Sequence, residues 1–443
     1  MATAESKAAK VSLSSRMVTN AFGNLAPIAA AVVTAPILAH ALGVTERGQV
    51  AAATAPFLLA TSCATLGVPD AVTYFVARRQ LARRMALRHA IRIILLSSTV
   101  TCLAVIALSG PLSGGDHTIR RLMIVSAALI IPGLFTAVLR GAAAGEHFWK
   151  RVTRERMINA AFRLVSIVVL ALIGRLDTLT ATLAISLAPS VGALAYLRMP
   201  VTAEVTTAAV TDGVTGLMMR YGSRVWVGAV SGVLLSRLDQ TIMTPLSAAY
   251  QLGLYAVAVS IGELPLIVNT AVREVMFSAD AARGNDDELT RAARVSFALS
   301  VAVAGLIGGT LWLWLPAAFG SQFRPATGVA IVLIIAVALG TPGSIAGSGL
   351  SARGRPGMRS LSLTFACVVN IGLLVLLVPH YGAYGAAYAT LAGNVISSNG
   401  CIVFMTRGGK LRTRDFYLVR PADLRVIGSG LLGVARRRAP KPA

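Results

Sequence analysis

Apolar residues along this chain gather in blocks of roughly 20, bounded by short polar connections. At 1.5 Å of rise per residue, such a helix matches a hydrocarbon core about 30 Å thick. The blocks predict spans over approximately 19–41, 50–75, 91–112, 120–141, 157–174, 178–198, 223–246, 253–275, 293–317, 326–350, 360–379 and 383–405. The first contains Asn20 and Asn24, lacks a small-residue cleavage site and is followed by many others. It is expected to be a true span and not a cleaved leader. The fold class expected is an all-α polytopic membrane protein of about 12 transmembrane helices.

Charge adds an orientation. Lys and Arg concentrate in alternate connections: Arg78, Arg79, Arg83, Arg84, Arg88 and Arg92 in one, Lys150, Arg151, Arg154 and Arg156 in the next, and Arg353, Arg355 and Arg359 further on. The opposite connections hold Arg47, Arg120, Arg121, Arg175 and Arg324. The imbalance, roughly 32 against about 5, places both termini in the cytoplasm and requires an even number of spans. The longest internal connection falls midway. The expected organisation is therefore a six-helix lobe over 1–198, a cytoplasmic linker over 199–222, a second six-helix lobe over 223–405 and a basic tail over 406–443. A faint internal likeness supports a repeat: "ALGVTERGQVAAATA" resembles "PLSAAYQLGLYAVAV". The apolar run Val426–Ala435 in the tail is too short to span, and either lies in the anionic leaflet or is disordered.

Composition excludes several classes. The chain of 443 residues is 55% hydrophobic and only 13% charged, too little charge to cover a soluble surface. A net charge of +23 would point to nucleic acid in a soluble protein, but here the cations sit between apolar blocks on one side and no nucleic acid is expected. Cys63, Cys102, Cys367 and Cys401 all lie inside apolar blocks without metal-ligand spacing, so neither disulfide nor metal site is expected. No GxxxxGK[ST] and no HExxH occur, no acidic outer loop exists to serve a glycosyltransferase, and no cofactor or enzymatic activity is expected.

Charges inside the spans carry the functional signal, since each costs several kcal/mol unless it faces a cavity or a partner. Arg237 and Asp239 lie in span 7, roughly 20 Å into the membrane when counted from Arg224. Two residues apart, they address nearly opposite faces, and Arg237 shares its face with Gln240 and Thr241. Span 8 holds Glu263, a kink at Pro265, then Asn269, Arg273 and Glu274. Candidate cavity residues for substrate or coupling ion are thus Arg237, Asp239, Gln240, Glu263, Asn269 and Arg273. For Asp239 and Glu263, structural pairing is the competing reading. Arg273, Glu274 and Arg163 are expected to snorkel near the surface. The spacings Gly228–Gly232 and Gly343–Gly347 predict internal helix packing.

The stretch "SRLDQTIMTPLSAAYQLGLYAVAVSIGELPLIVNTAV" resembles the opening of the second lobe in polysaccharide and O-antigen flippases. These belong to the superfamily of multidrug, oligosaccharidyl-lipid and polysaccharide exporters. Arg237, Asp239, Gly253, Tyr255 and Ala256 match that pattern. "PILAHALGVTERGQVAAATAPFLLATSCATLGVPDAVTYFVAR" is similar to the first two spans, and "NIGLLVLLVPHYGAYGAAYATLAGNV" to the last two. The resemblance implies two lobes around a central cavity and a flippase. It would carry a lipid-linked oligosaccharide or polysaccharide unit to the outer leaflet of a bacterial plasma membrane. A coupling cation, H+ or Na+, membrane lipids and glycan-synthesis proteins are the partners implied. Two alternatives stand beside it: a multidrug antiporter of the same superfamily, and a non-transporting scaffold for glycan or cell-wall synthesis.

Overall fold

A break of one residue turns a single long helix into two membrane crossings. The first helix, α1 (Ala2–Ala64), would be roughly 95 Å long if straight. Gly43 interrupts it with φ 71 and ψ −175, a conformation that a residue with a Cβ rarely adopts. The chain reverses there and helix resumes at once. The computed structural model describes residues 2–199, 213–266, 269–270, 285–407 and 411–423, with side chains from residue 26 onward.

The remaining helices are α2 (Val68–Ala77), α3 (Arg83–Leu112), α4 (His117–Ala128), α5 (Ile130–Gly145), α6 (Trp149–Leu172) and α7 (Thr178–Gly192), followed by α8 (Val214–Leu246), α9 (Ala249–Gly262), α10 (Asp286–Phe319), α11 (Ala326–Ala352), α12 (Pro356–Tyr381), α13 (Ala383–Thr406) and the short α14 (Arg414–Tyr417). Among the described residues each expected span is met by helix, with α2 extending span 2 and the pair α4 and α5 forming span 4, and residues 267–268 and 271–275 of span 8 lie outside them. No strand occurs among the described residues. Seven helices there are long and apolar enough to cross a membrane, the one beginning at Ala26 covering two crossings. The spans below that threshold are α6, α8, α9 and α13. The first two are interrupted by charge, such as Arg163 and the pair Arg237 and Asp239. The described part of α9 has 14 residues, and α13 is rich in Ala, Gly, Ser and Asn.

Packing explains the difference. The apolar window of α10 is only 17% buried and faces outward, whereas that of α11 is 61% buried at the centre of its lobe. Helix α11 packs on α10, α9 and α13, and α13 on α12. In the first half, α1 packs on α6, α4 and α7, and α2 on α5. The basic connections mark one end of the bundle, the basic end; the opposite is the far end.

The two halves meet through a reciprocal contact. A Cβ on Gly48 would strike the Ala249 carbonyl, and a Cβ on Gly253 would strike the Val44 carbonyl. Each glycine thus admits the backbone of the residue that lies four positions before the other. This two-fold reciprocity is what a parallel repeat produces at its own axis. The faint likeness in sequence between these two stretches has its structural counterpart here, with Gly48 matched to Gly253. Nearer the basic end, α8 leans on the first half: Trp226 Nε1 donates to the Cys63 carbonyl at 2.8 Å, and Tyr221 stacks on Tyr74.

Several expectations shift. Helix α8 begins at Val214, inside the stretch expected as linker, and residues 200–212 lie outside the described residues. Arg47 is not in a loop. Because the break is confined to Gly43, Arg47 lies in the resumed helix and is only 8% exposed. Arg163 does not snorkel. Helix α6 starts at Trp149, which sets Arg163 roughly 21 Å along it. Gly343 and Gly347 pack internally against Ser398, Cys401 and Arg359, and Gly228 against Ser360, but Gly232 faces open space. The four cysteines are free.

The tail docks as far as Asp423. Phe416 is fully buried among Leu289, Ala293, Leu350 and Ile402. The Arg294 guanidinium donates to both oxygens of Asp423, at 2.7 and 3.4 Å, and to the Asp415 carbonyl at 2.9 Å. The run Val426–Ala435 lies outside the described residues.

Candidate functional site

Helix α8 presents its two charges to two different surroundings, as their spacing requires. Asp239 turns into the second lobe and is 3% exposed. The Tyr255 hydroxyl of α9 donates to its Oδ2, and the Thr390 hydroxyl of α13 donates to the same oxygen at 3.3 Å. Tyr255 and Thr390 lie 3.0 Å apart, so three helices converge on one carboxylate. The Gln240 backbone N–H donates to Oδ1 at 2.7 Å. A carboxylate in such a place needs several donors, since an unsatisfied charge away from water is costly.

Arg237 turns the other way. Its Nη2 lies 3.0 Å from Glu263 Oε1, and both side chains are 31% exposed. Glu263 caps the end of α9, where the helix breaks two residues before Pro265. The first lobe adds two further cations. Arg163 of α6 stands within electrostatic reach of both Arg237 and Glu263, and Arg47 of α1 within reach of Arg163. No hydrogen-bond partner meets Nε of Arg47 or of Arg163. Two guanidiniums, one from each lobe, thus reach one carboxylate, and Arg47 adds a third cation beside Arg163.

Asp239, Tyr255, Glu263 and Asn269 line a cavity of about 370 Å³ within the second lobe, between α8, α9, α11, α12 and α13. Its volume lies in the range of ligand pockets, about 300–1,000 Å³. Asn269 is 5% exposed and its Oδ1 accepts no hydrogen bond. Gln240 is buried but lies off the cavity wall. Arg273 and Glu274 lie outside the described residues.

Beside the cavity, Asn370 of α12 is 1% exposed and neither side-chain atom has a partner. It packs against Gly393, which in turn meets Leu235, one turn before Asp239. Carboxylate, hydroxyl and amide oxygens are the donor set suited to a hard cation. No cluster of three His, Cys, Asp or Glu that could hold a transition metal occurs among the described residues.

The structure therefore brings together Arg237, Asp239, Glu263 and Asn269 from the sequence-derived candidates. Sequence reasoning missed Thr390, Asn370 and Arg47, and underrated Arg163. Tyr255 was visible only as a matching residue in the family pattern. A threonine or asparagine in an apolar helix gives no signal by itself, because such residues also satisfy themselves on the preceding turn.

A family model described as "Polysaccharide biosynthesis protein" matches residues 17–277. No curated protein matches the sequence. Among solved structures, the chain is similar to the lipid II flippase MurJ in an inward closed conformation, with a TM-score of 0.69 and 11% identity over 95% of this chain and 93% of that one. It is also similar to an inward-facing multidrug resistance transporter of the MATE family, with a TM-score of 0.66 and 16% identity over 85% and 93%. The MATE multidrug transporter DinF-BH matches with a TM-score of 0.62 and 15% identity over 92% and 96%. At these identities the likeness carries the fold alone. The family match, in contrast, spans more than half of the chain, and the chain belongs to the polysaccharide biosynthesis protein family, on the fold shared by MATE and MurJ transporters.

Proposed function

We propose that this protein is a flippase carrying a lipid-linked oligosaccharide or polysaccharide unit from the cytoplasmic to the outer leaflet by alternating access. The observation that carries this reading is a group of three arginines with one carboxylate: Arg237 pairs with Glu263, Arg163 stands within electrostatic reach of both, and Arg47 stands beside Arg163. Guanidiniums match phosphate geometry and keep their charge in a low dielectric. An excess of cations between the lobes favours an anionic pyrophosphate or acidic sugar and repels the cationic drugs of a multidrug extruder. In this reading the basic end is cytoplasmic, by the positive-inside rule.

Asp239 serves the coupling step. Its oxygens, with the Thr390 hydroxyl and the unpartnered Asn370 amide nearby, suit H+ or Na+. Arg237 is held by Glu263 until the substrate anion competes for it. That exchange trades one charge-assisted pair for another, and Arg163 remains within electrostatic reach of the released Glu263.

The test is flipping in reconstituted vesicles together with surface glycan in cells. Arg237→Ala and Asp239→Asn should each lower flipping by about tenfold or more, equivalent to about 1.4 kcal/mol or more. Full surface glycan from both variants, expressed at normal levels, would sink the reading.

A further inference from the structure

The second-lobe cavity does not end at Asp239. It runs toward the basic end, where its wall changes character. Asn269, Ser344, Asn394 and Ser397 line it there, and Arg359, in the first turn of α12, stands at its edge. Some of these groups are already committed. The Ser397 hydroxyl donates to the Asn394 carbonyl at 3.1 Å, and the neighbouring Ser398 hydroxyl accepts the Gly343 N–H at 2.9 Å. Others are not. The Asn269 Oδ1 is buried without a donor. Among the described residues, neither the Asn394 amide nor the Arg359 guanidinium engages a hydrogen bond or an ion pair. A wall with unspent donors and acceptors is costly inside a membrane protein unless a ligand or water completes it.

The chemistry of the missing partner follows. It must donate to Asn269 and both donate to and accept from Asn394, which is the behaviour of sugar hydroxyls. A lipid chain would leave every one of these groups unpaired. Arg359 adds a requirement for negative charge. The size, about 370 Å³ including the Asp239 end, takes a sugar ring with its substituents and not a long glycan. Position agrees too. Glu263 both lines this cavity and holds Arg237, so the cavity adjoins the arginine cluster where a pyrophosphate would sit.

We propose that the basic-end part of this cavity is a sugar subsite, in which Asn269 and Asn394 bind one residue of the carried glycan and Arg359 holds an anionic substituent on it. This rests on the flippase reading above. The substituent is a carboxylate or a phosphate, and the choice of probes separates the two.

The full chain, purified in detergent, is titrated with glucuronic acid, glucose 6-phosphate, glucose and inorganic phosphate, with binding read by saturation-transfer NMR. Glucuronic acid or glucose 6-phosphate should bind roughly tenfold more tightly than glucose. Arg359→Gln should remove that preference, Arg359→Lys should retain part of it, and Asn394→Leu should abolish sugar binding. No binding of either acidic sugar, or unchanged binding in both Arg359→Gln and Asn394→Leu, would overturn the proposal. So would inorganic phosphate displacing the acidic sugar as well as glucose 6-phosphate does, which marks an anion site without sugar recognition. A parallel titration with pyrophosphate probes the arginine cluster by itself. It should be lost in Arg237→Ala and unchanged in Arg359→Gln, so failure of the sugar subsite is distinguishable from failure of the flippase reading.

Discussion

Val50 and Tyr255 each stand two residues beyond the glycine that marks the crossing of the two halves, and they do opposite things. Val50 is fully buried in an apolar cluster with Leu38, Leu42, Ile167, Ala181 and Ala184. Tyr255 is as deeply buried but holds Asp239 together with Thr390. One backbone plan thus supports an apolar contact at this position in the first lobe and a polar cavity wall in the second. The first lobe holds an ion pair of its own, Arg140 with the buried Glu155, and lends the charges of Arg47 and Arg163 to the neighbourhood of Glu263. The difference teaches that a repeat conserves where backbones touch, because glycine contacts tolerate no variation, while the side chains one turn away are free to diverge.

The comparison breaks most sharply at the glycines. Gly48→Leu and Gly253→Leu each force a side chain into an opposing carbonyl that belongs to a helix, which cannot yield as a side-chain tip would. Each should cost about 3 kcal/mol or more and remove most folded protein, read by thermal melting in detergent. Equal losses from the two variants would confirm the symmetry. Loss from only one would show that the two crossings are not equivalent.

The matched pair beyond the glycines sharpens the contrast at a smaller scale. Val50→Ala should cost about 2 kcal/mol through lost burial and a cavity, and leave the cation dependence of transport unchanged. Tyr255→Phe should cost about 1–3 kcal/mol, because it takes a donor from buried Asp239, and should shift the cation dependence. Transport in vesicles under imposed H+ or Na+ gradients measures both. An unchanged cation dependence in Tyr255→Phe would assign Asp239 a packing role only.

The smallest effect is at the docked tail, a feature of the second lobe. Donation from Arg294 holds the Asp423 carboxyl below the usual carboxylate range. Its contribution to docking is therefore complete above the ordinary aspartate value of about 3.9 and is lost as pH falls through the depressed value. Tail cleavage by limited proteolysis should be insensitive to pH near neutrality and should accelerate in acid. Asp423→Asn should produce the same acceleration, of about tenfold, at neutral pH, since each decade corresponds to about 1.4 kcal/mol.

The helical, many-span architecture was legible because the bilayer imposes one length on every apolar block. The separation of Arg237 from Asp239 was also legible, since helical spacing puts residues two apart on opposite faces whatever surrounds them. The partners were not. That Arg237 meets Glu263 while Asp239 meets Tyr255 and Thr390 depends on the rotation and depth of two other helices, which hydropathy leaves open. Arg47 shows the same limit. A charged residue a few positions past a turn belongs to a loop by sequence, and only the single-residue break at Gly43 returns it to a helix and buries it. The sequence by itself determined the all-helical membrane architecture and which apolar blocks carry charge. The tertiary structure alone decided which charges meet, because helix packing sets contacts between residues on different helices, such as Arg237 with Glu263 and Asp239 with Thr390.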